Sequence, residues 1–155
     1  MILIFALGAA LFALGQPIWG ADLPPGDSAA YRSATLYIAP SSSKLAGGTA
    51  KLVVGSLSRS GLAFVGDYRI KVLPYFFKNE SGRLFIEVPD AALRQMIGGA
   101  VTGFKGRATT NRSGLTRKIT AKAKPSAKDR GALTFTVATV NGPLVFNTSY
   151  RIEKR

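Results

Sequence analysis

The sequence predicts an all-β fold, a small antiparallel barrel or sandwich of about seven or eight strands with one short helix. Two observations carry this prediction. From Tyr31 onward, apolar and polar residues alternate with a period of two, the pattern of strands that bury one face. Turn-forming residues interrupt the alternation at short intervals. The chain has 155 residues, a length typical of one domain.

The clearest strand lies at residues 64–72, where one parity is apolar and the other carries Asp67, Arg69 and Lys71. Residues 83–88 and 133–137 repeat the alternation, and a last strand follows residue 142. An isolated apolar face of this kind is typical of a half-buried antiparallel strand. The predicted inward positions are Phe64, Tyr68, Ile70, Val72, Leu84, Ile86, Val88, Leu133, Phe135, Val137, Leu144, Phe146, Tyr150 and Ile152.

Turn residues predict the connections between these strands. Ser-Gly occurs at Ser60-Gly61 and Ser113-Gly114, and residues 79–82 combine Asn, Glu, Ser and Gly. Asn141-Gly142 predicts a type I′ hairpin, because both central positions of that turn need positive φ.

One segment departs from the alternation and predicts a helix of two to three turns. Asp90 is the expected cap, and Gly98-Gly99 is the expected end. Between them Leu93, Met96 and Ile97 form a one-sided apolar stripe that would cover one end of the sheet system.

Several predicted inward positions are small, namely Gly66, Gly106, Ala108, Ala121 and Ala123. Small inward residues are typical of tight strand crossings and barrel corners. They would equally leave space for a ligand inside the barrel, so both interpretations stay open.

The N-terminal segment predicts export. Residues 2–14 are an unbroken apolar run, the length of a signal-peptide core and too short for a membrane span of about 20 residues. We expect cleavage after Gly20, a flexible junction at residues 21–30 and a single β-domain at residues 31–155. The expected location is periplasmic or extracellular, soluble after cleavage. An uncleaved anchor is the alternative, and no Cys is present to carry a lipid.

Composition excludes several kinds of chemistry. The sequence has neither Cys nor His, so disulfides, thiolate nucleophiles, imidazole metal sites and Ser-His triads are impossible. We expect no enzyme activity, no cofactor and no metal. The net charge is +13, and the first 21 residues carry no charged side chain. This excess favours an anionic partner.

The cations are densest between residues 105 and 130, a stretch with one acidic residue, Asp129. Parity places part of this charge on the outer face of two strands that would pair through the turn at residues 111–114. The stretch has no aromatic residue for base stacking, which argues against nucleic acid. An anionic lipid headgroup or an acidic glycan of the envelope is the expected partner. The predicted polyanion-binding residues are Lys105, Arg107, Lys118, Lys122 and Lys124.

A second candidate surface is an aromatic patch of Tyr75, Phe77 and Phe85 at a strand edge near Pro74. It would dock a ligand, a partner or a second copy of the chain. The alternative is that the short helix packs over it.

Two further functions remain as hypotheses. The barrel would carry an apolar or lipid-like ligand, lined by Phe64, Tyr68, Phe104 and Phe135. A weak hydrolase would use Asp67 and Glu87 as acid and base, although basic neighbours favour plain ion pairs for both.

Overall fold

The computed structural model describes residues 30–154, so the predicted leader and nearly all of the predicted junction lie outside the described residues. The described chain is mostly β, with one α-helix, which confirms the predicted fold class; the architecture is a barrel. Its strands are β1 (Thr35–Ile38), β2 (Ser41–Leu45), β3 (Gly48–Val54), β4 (Leu57–Ser60), β5 (Ala63–Leu73), β6 (Glu80–Glu87), β7 (Thr102–Thr110), β8 (Thr116–Ala127), β9 (Arg130–Val137) and β10 (Leu144–Glu153). The helix α1 is Asp90–Ile97, and a short 3-10 helix is Phe76–Lys78.

Eight strands close into a ring in the order β1-β10-β9-β8-β7-β6-β5-β4, and each neighbouring pair is antiparallel. The other two strands, β2 and β3, form a hairpin. β3 pairs with β5 beyond the segment that β4 occupies, and β2 approaches β10, where Ser41 Oγ donates to the Asn147 carbonyl at 2.6 Å. The hairpin therefore lengthens the wall of the barrel at one end.

The barrel interior is one apolar core built from the inward parity of the strands. The alternation predicted for β5 and β9 is confirmed, because Phe64, Tyr68, Leu133 and Phe135 are all buried. Burial of each such side chain contributes about 1.5–3 kcal/mol, so this core is the main source of the domain's stability.

The small inward residues mark close approaches between strands. A Cβ on Gly66 would meet the Ser56 carbonyl at 2.6 Å and Leu57 Cδ2 at 2.7 Å, and a Cβ on Gly106 would overlap the Phe85 carbonyl. Ala108, Ala121 and Ala123 are buried in the core. The tight-crossing interpretation of these positions is therefore supported.

Two predicted turns differ in the structure. Residues 80–82 belong to β6, and the chain turns at residues 74–79 through the 3-10 helix, because residue 80 already pairs with Ile70. The β9–β10 connection is longer than a two-residue type I′ turn. Gly142 has φ +105° but Asn141 does not have positive φ, and the Thr139 hydroxyl closes the loop by donating to the Gly142 carbonyl at 2.5 Å.

The two ends of the barrel differ. α1 connects β6 to β7, packs against β7 and β8, and covers what we call the helix end. The opposite end, which we call the loop end, consists of the loops at residues 46–47, 74–79, 111–115 and 138–143. No helix in residues 30–154 is long and apolar enough to cross a membrane.

The apolar stripe of α1 is buried as predicted, through Leu93, Met96 and Ile97, and the helix ends at Ile97 with Gly98 as its C-cap and Gly99 at φ +89°. The prediction that Asp90 caps the helix is wrong. Asp90 is the first helical residue and makes no capping bond; its carboxylate instead accepts a hydrogen bond from Arg59 Nη2 at 2.7 Å.

Candidate polyanion-binding surface

The five predicted polyanion-binding residues share the outer face of β7 and β8, which pair directly. We call this group the wall stripe. Arg107 lies opposite Lys118, Lys105 lies opposite Thr120, and Lys122 lies opposite Gly103. All five side chains are exposed. The structure therefore brings together the residues Lys105, Arg107, Lys118, Lys122 and Lys124 on one side of the barrel.

The wall stripe has little opposite charge beside it. β7 and β8 contain no acidic residue, and on the neighbouring strand Glu87 lies opposite Lys105. The partner of Arg107 on β6 is aromatic and not acidic: the Arg107 guanidinium lies 4.1 Å from the centre of the Phe85 ring. Like charges directly opposite each other, as at Arg107 and Lys118, destabilise a sheet by up to about 1 kcal/mol. The stripe is thus a concentration of charge that costs the fold stability.

A second group of cations lies on a different part of the wall and was not predicted. Lys51 of β3 lies directly opposite Lys71 of β5, and Arg69 is on the same outer face. The signal for it is the outward parity of Arg69 and Lys71, which the sequence shows; the pairing with Lys51 depends on a contact between distant segments. This second group provides a matched control for the stripe.

The predicted aromatic patch is divided in the structure. Tyr75 and Phe77 lie together at the loop end, with ring centres 6.0 Å apart and edge to face. Phe85 pairs with Val65, eight residues before the end of β5, which is about 25 Å along a strand. The helix does not cover Tyr75 or Phe77, because α1 is at the opposite end.

A polar cluster inside the barrel wall lies beneath the loop end. The Tyr68 hydroxyl donates to Glu80 Oε1 at 2.7 Å, and Arg117 holds Glu80 through Nη2 and Nε at 2.9 and 3.1 Å from Oε2. Burial, followed by the hydrogen bond to Glu80, raises the pKa of Tyr68 above its usual value. Sequence reasoning missed this cluster because it assigned Glu80 to a turn, although all three residues share inward parity.

The interior spaces of the barrel are small. One, lined by Phe64, Phe104 and Met96 among others, has a volume of about 20 Å³, and a second beside Tyr68 and Phe135 has about 10 Å³. Ligand sites usually measure about 300–1,000 Å³. Four side chains were predicted to line a ligand cavity. All four belong to the single packed core of the barrel, namely Phe64, Tyr68, Phe104 and Phe135.

The two carboxylates considered for hydrolysis are far apart. Asp67 lies opposite Arg83 with a long ion pair of 3.7 Å, and Glu87 lies four residues beyond Arg83 on β6, about 13 Å along the strand. Acid–base pairs in glycosidases are separated by about 5–10 Å. Within residues 30–154 no group of three carboxylates is arranged to hold a metal ion.

Together the fold and its surface define a small, filled, antiparallel β-barrel with a cationic outer wall. Comparisons with protein families, curated proteins and solved structures found no match.

Proposed function

We propose that the protein is exported and that its barrel, without catalytic activity, binds an anionic component of the cell envelope through the wall stripe. The proposal rests on one observation: five exposed cations share the outer face of two paired strands that carry no carboxylate. Phosphate, sulfate and carboxylate groups share the chemistry that such a surface attracts. Export is supported by the apolar run at residues 2–14.

The rigid wall suits this role. Lys118, Lys122 and Lys124 are on one parity of β8, so Lys122 and Lys124 are about 7 Å apart along the strand and Lys118 is about 13 Å from Lys122. A repeating polyanion would contact several of them at once and displace its own counterions, which gives salt-sensitive binding. Phe85, the aromatic ring that borders the stripe, has the Arg107 guanidinium over one face, so that face is not open for base stacking. An envelope glycan or lipid headgroup therefore fits this surface better than nucleic acid does.

The test compares two triple variants with the same change in net charge. One is Lys105→Gln, Lys118→Gln and Lys122→Gln in the wall stripe. The matched control is Lys51→Gln, Arg69→Gln and Lys71→Gln on the β3–β5 part of the wall. On heparin resin we expect the stripe variant to elute at clearly lower salt than both the control variant and the unchanged chain. Equal elution of the two variants would mean that net charge alone governs retention, and the proposal would fail.

A further inference from the structure

The loop end exposes an unusual amount of apolar surface. Phe76 and Phe77 are 66% and 76% exposed at the tip of the β5–β6 loop, and Val140 is 95% exposed in the β9–β10 loop. Leu115, in the loop between β7 and β8, is also exposed. Burying such side chains in a core would stabilise the domain, so their clustering at one end indicates a surface that binds something apolar.

Cations surround these apolar tips. Lys78 extends beside the aromatic rings, with Nζ 5.2 Å from the centre of the Tyr75 ring and 6.0 Å from that of Phe77. Arg112 is exposed in the next loop, and Lys44 is exposed near the end of β2. Glu80 borders this end, and its carboxylate is already held by Arg117. The loop end therefore combines apolar tips with positive charge.

The helix end has a different character. Four carboxylates lie in or beside the segments that form it, namely Glu87, Asp90, Asp129 and Glu153. Within residues 30–154 the large apolar side chains exposed at this end are Leu62 and Val101, and neither is aromatic. The helix end also carries cations, among them Arg94, Lys128 and Lys154, so the two ends differ in their apolar and aromatic exposure, which gives the barrel a direction.

We infer that the loop end docks onto an anionic lipid bilayer, with Phe76 and Phe77 entering the boundary between headgroups and acyl chains. Apolar and aromatic tips flanked by Lys and Arg are typical of proteins that bind at this boundary, because the tips lose contact with water while the cations meet lipid phosphates. A second copy of the chain is a poor occupant, since it would bring the same cations against Lys78 and Arg112. This inference rests on the proposed function, because it assigns the anionic partner to a lipid and adds a second contact surface.

A groove between two of the loops would receive the headgroup. It is lined on one side by Phe77 and Lys78 and on the other by Arg112, Ser113 and Leu115. Lys78 and Arg112 are exposed and form no ion pair with a carboxylate in the described residues. Both are free to meet a phosphate while Phe77 and Leu115 face the acyl side.

The direction of docking is tested with two variants of the full-length chain, one with a tryptophan at the loop end of the barrel and one with a tryptophan at the helix end. Trp19 is the sole tryptophan of the sequence, so Trp19→Phe gives a silent background. In that background Phe77→Trp gives the loop-end reporter, and Val101→Trp gives the helix-end reporter in a matched chain with the same N-terminal segment. The probe is phosphatidylglycerol–phosphatidylcholine vesicles with brominated acyl chains, and pure phosphatidylcholine vesicles are the control.

We expect the emission of the loop-end reporter to shift to the blue and to be quenched at least twofold by the anionic brominated vesicles, with the helix-end reporter unchanged. Sedimentation with vesicles gives the affinities of variants without a reporter. Phe76→Ser with Phe77→Ser should weaken binding by about tenfold or more, and Lys78→Gln or Arg112→Gln by about fivefold each. Both Phe positions are exposed, so the serine variant should keep its fold, which circular dichroism checks.

The inference is overturned if the chain does not sediment with anionic vesicles, if the loop-end reporter is unquenched on vesicles that bind the chain, or if the helix-end reporter is quenched equally. Heparin retention distinguishes this failure from that of the proposed function. The serine variant should elute from heparin like the unchanged chain, because it removes no charge. Loss of vesicle docking with intact, stripe-dependent heparin retention would leave the wall stripe as the binding surface and refute the loop end alone.

Discussion

Arg107 and Phe85 are direct partners across β6 and β7, and the guanidinium lies over the ring at 4.1 Å from its centre. The sequence suggests these residues as members of two separate surfaces, a basic stripe and an aromatic patch. In the structure Phe85 instead supports the stripe, because the guanidinium of Arg107 packs over its ring.

The Arg107–Phe85 contact should be measurable as a coupling energy. A partly exposed cation–π contact contributes about 0.5–1 kcal/mol. We expect a double-mutant cycle of Phe85→Leu and Arg107→Gln, measured by urea unfolding, to give a coupling free energy in that range. Additive effects of the two substitutions would show that the stacked geometry does not contribute to stability.

Two glycines of the same strand should respond oppositely to alanine. A Cβ on Gly106 would overlap the backbone of β6, whereas a Cβ on Gly103 meets nothing within 4 Å. We expect Gly106→Ala to lower the free energy of unfolding by about 2–3 kcal/mol through overpacking. Gly103→Ala should be neutral or stabilise by up to about 1 kcal/mol, because a strand glycine costs conformational entropy. Similar values for both would contradict the close β6–β7 approach.

The two partners of the ion pair that joins β4 to α1 should differ in how much stability is lost when each is replaced. The Arg59 side chain is 2% exposed and that of Asp90 is 48% exposed, and Arg59 also donates to the Val88 carbonyl at 3.0 Å. Asp90→Ala leaves a buried charge without its carboxylate, so we expect a loss of about 3 kcal/mol of unfolding free energy. Arg59→Met removes the charge and should cost less. The reverse order, measured by thermal unfolding of both variants, would contradict this assignment.

Alkaline pH should destabilise the barrel through its buried tyrosines. Burial, with the negative charge of Asp129 adding to it, raises the pKa of Tyr150 from 10.0 to about 12. Because the folded-state pKa is the higher one, the unfolded chain loses its proton first. This contribution is therefore fully present below pH 10 and is lost as pH rises toward 12.

The matched variant for the alkaline effect is Tyr150→Phe, since the Tyr150 hydroxyl has no hydrogen-bond partner among residues 30–154. A pKa that rises by two corresponds to about 2.7 kcal/mol of unfolding free energy. This is the upper bound for the stability that the Tyr150 chain loses, relative to the Phe variant, between pH 9 and pH 12. Lysine titration affects both chains alike and cancels in that difference. Parallel stability curves of the two chains from pH 9 to 12 would refute the assignment.

Local patterns predicted the elements that depend on local rules. Period-two alternation identified the inward face of β5, β9 and β10, and the glycines after Ile97 marked the C-terminus of α1. The wall stripe was also predictable, because outward parity and a turn at residues 111–114 suffice to bring β7 and β8 together. The sequence prediction placed Glu80 in a turn because a carboxylate is rare on the inward face of a strand. Its inward position is stable because Tyr68 and Arg117 donate hydrogen bonds to it, and these partners lie on other strands.

Features that depend on distant contacts were beyond the sequence pattern. The Tyr68–Glu80–Arg117 cluster joins β5, β6 and β8, and the Lys51–Lys71 pair joins β3 to β5. The division of the aromatic patch depends on register, since pairing of Phe85 with Val65 carries it away from Tyr75. Closure of the ring between β1 and β4 likewise decides between a barrel and a sandwich and leaves no trace in the alternation.

The salt dependence of polyanion binding distinguishes a binding site at the wall stripe from retention by net charge alone. For each chain the affinity for a soluble heparin fragment is measured by titration calorimetry over a range of salt concentrations, and the slope of log affinity against log salt is compared. If the wall stripe binds the polyanion, Lys105→Gln, Lys118→Gln and Lys122→Gln together should reduce the slope by about two to three. The control substitutions at Lys51, Arg69 and Lys71 should change it by less than about one. Equal slopes for the two triple variants would contradict the claim that these cations form one binding surface.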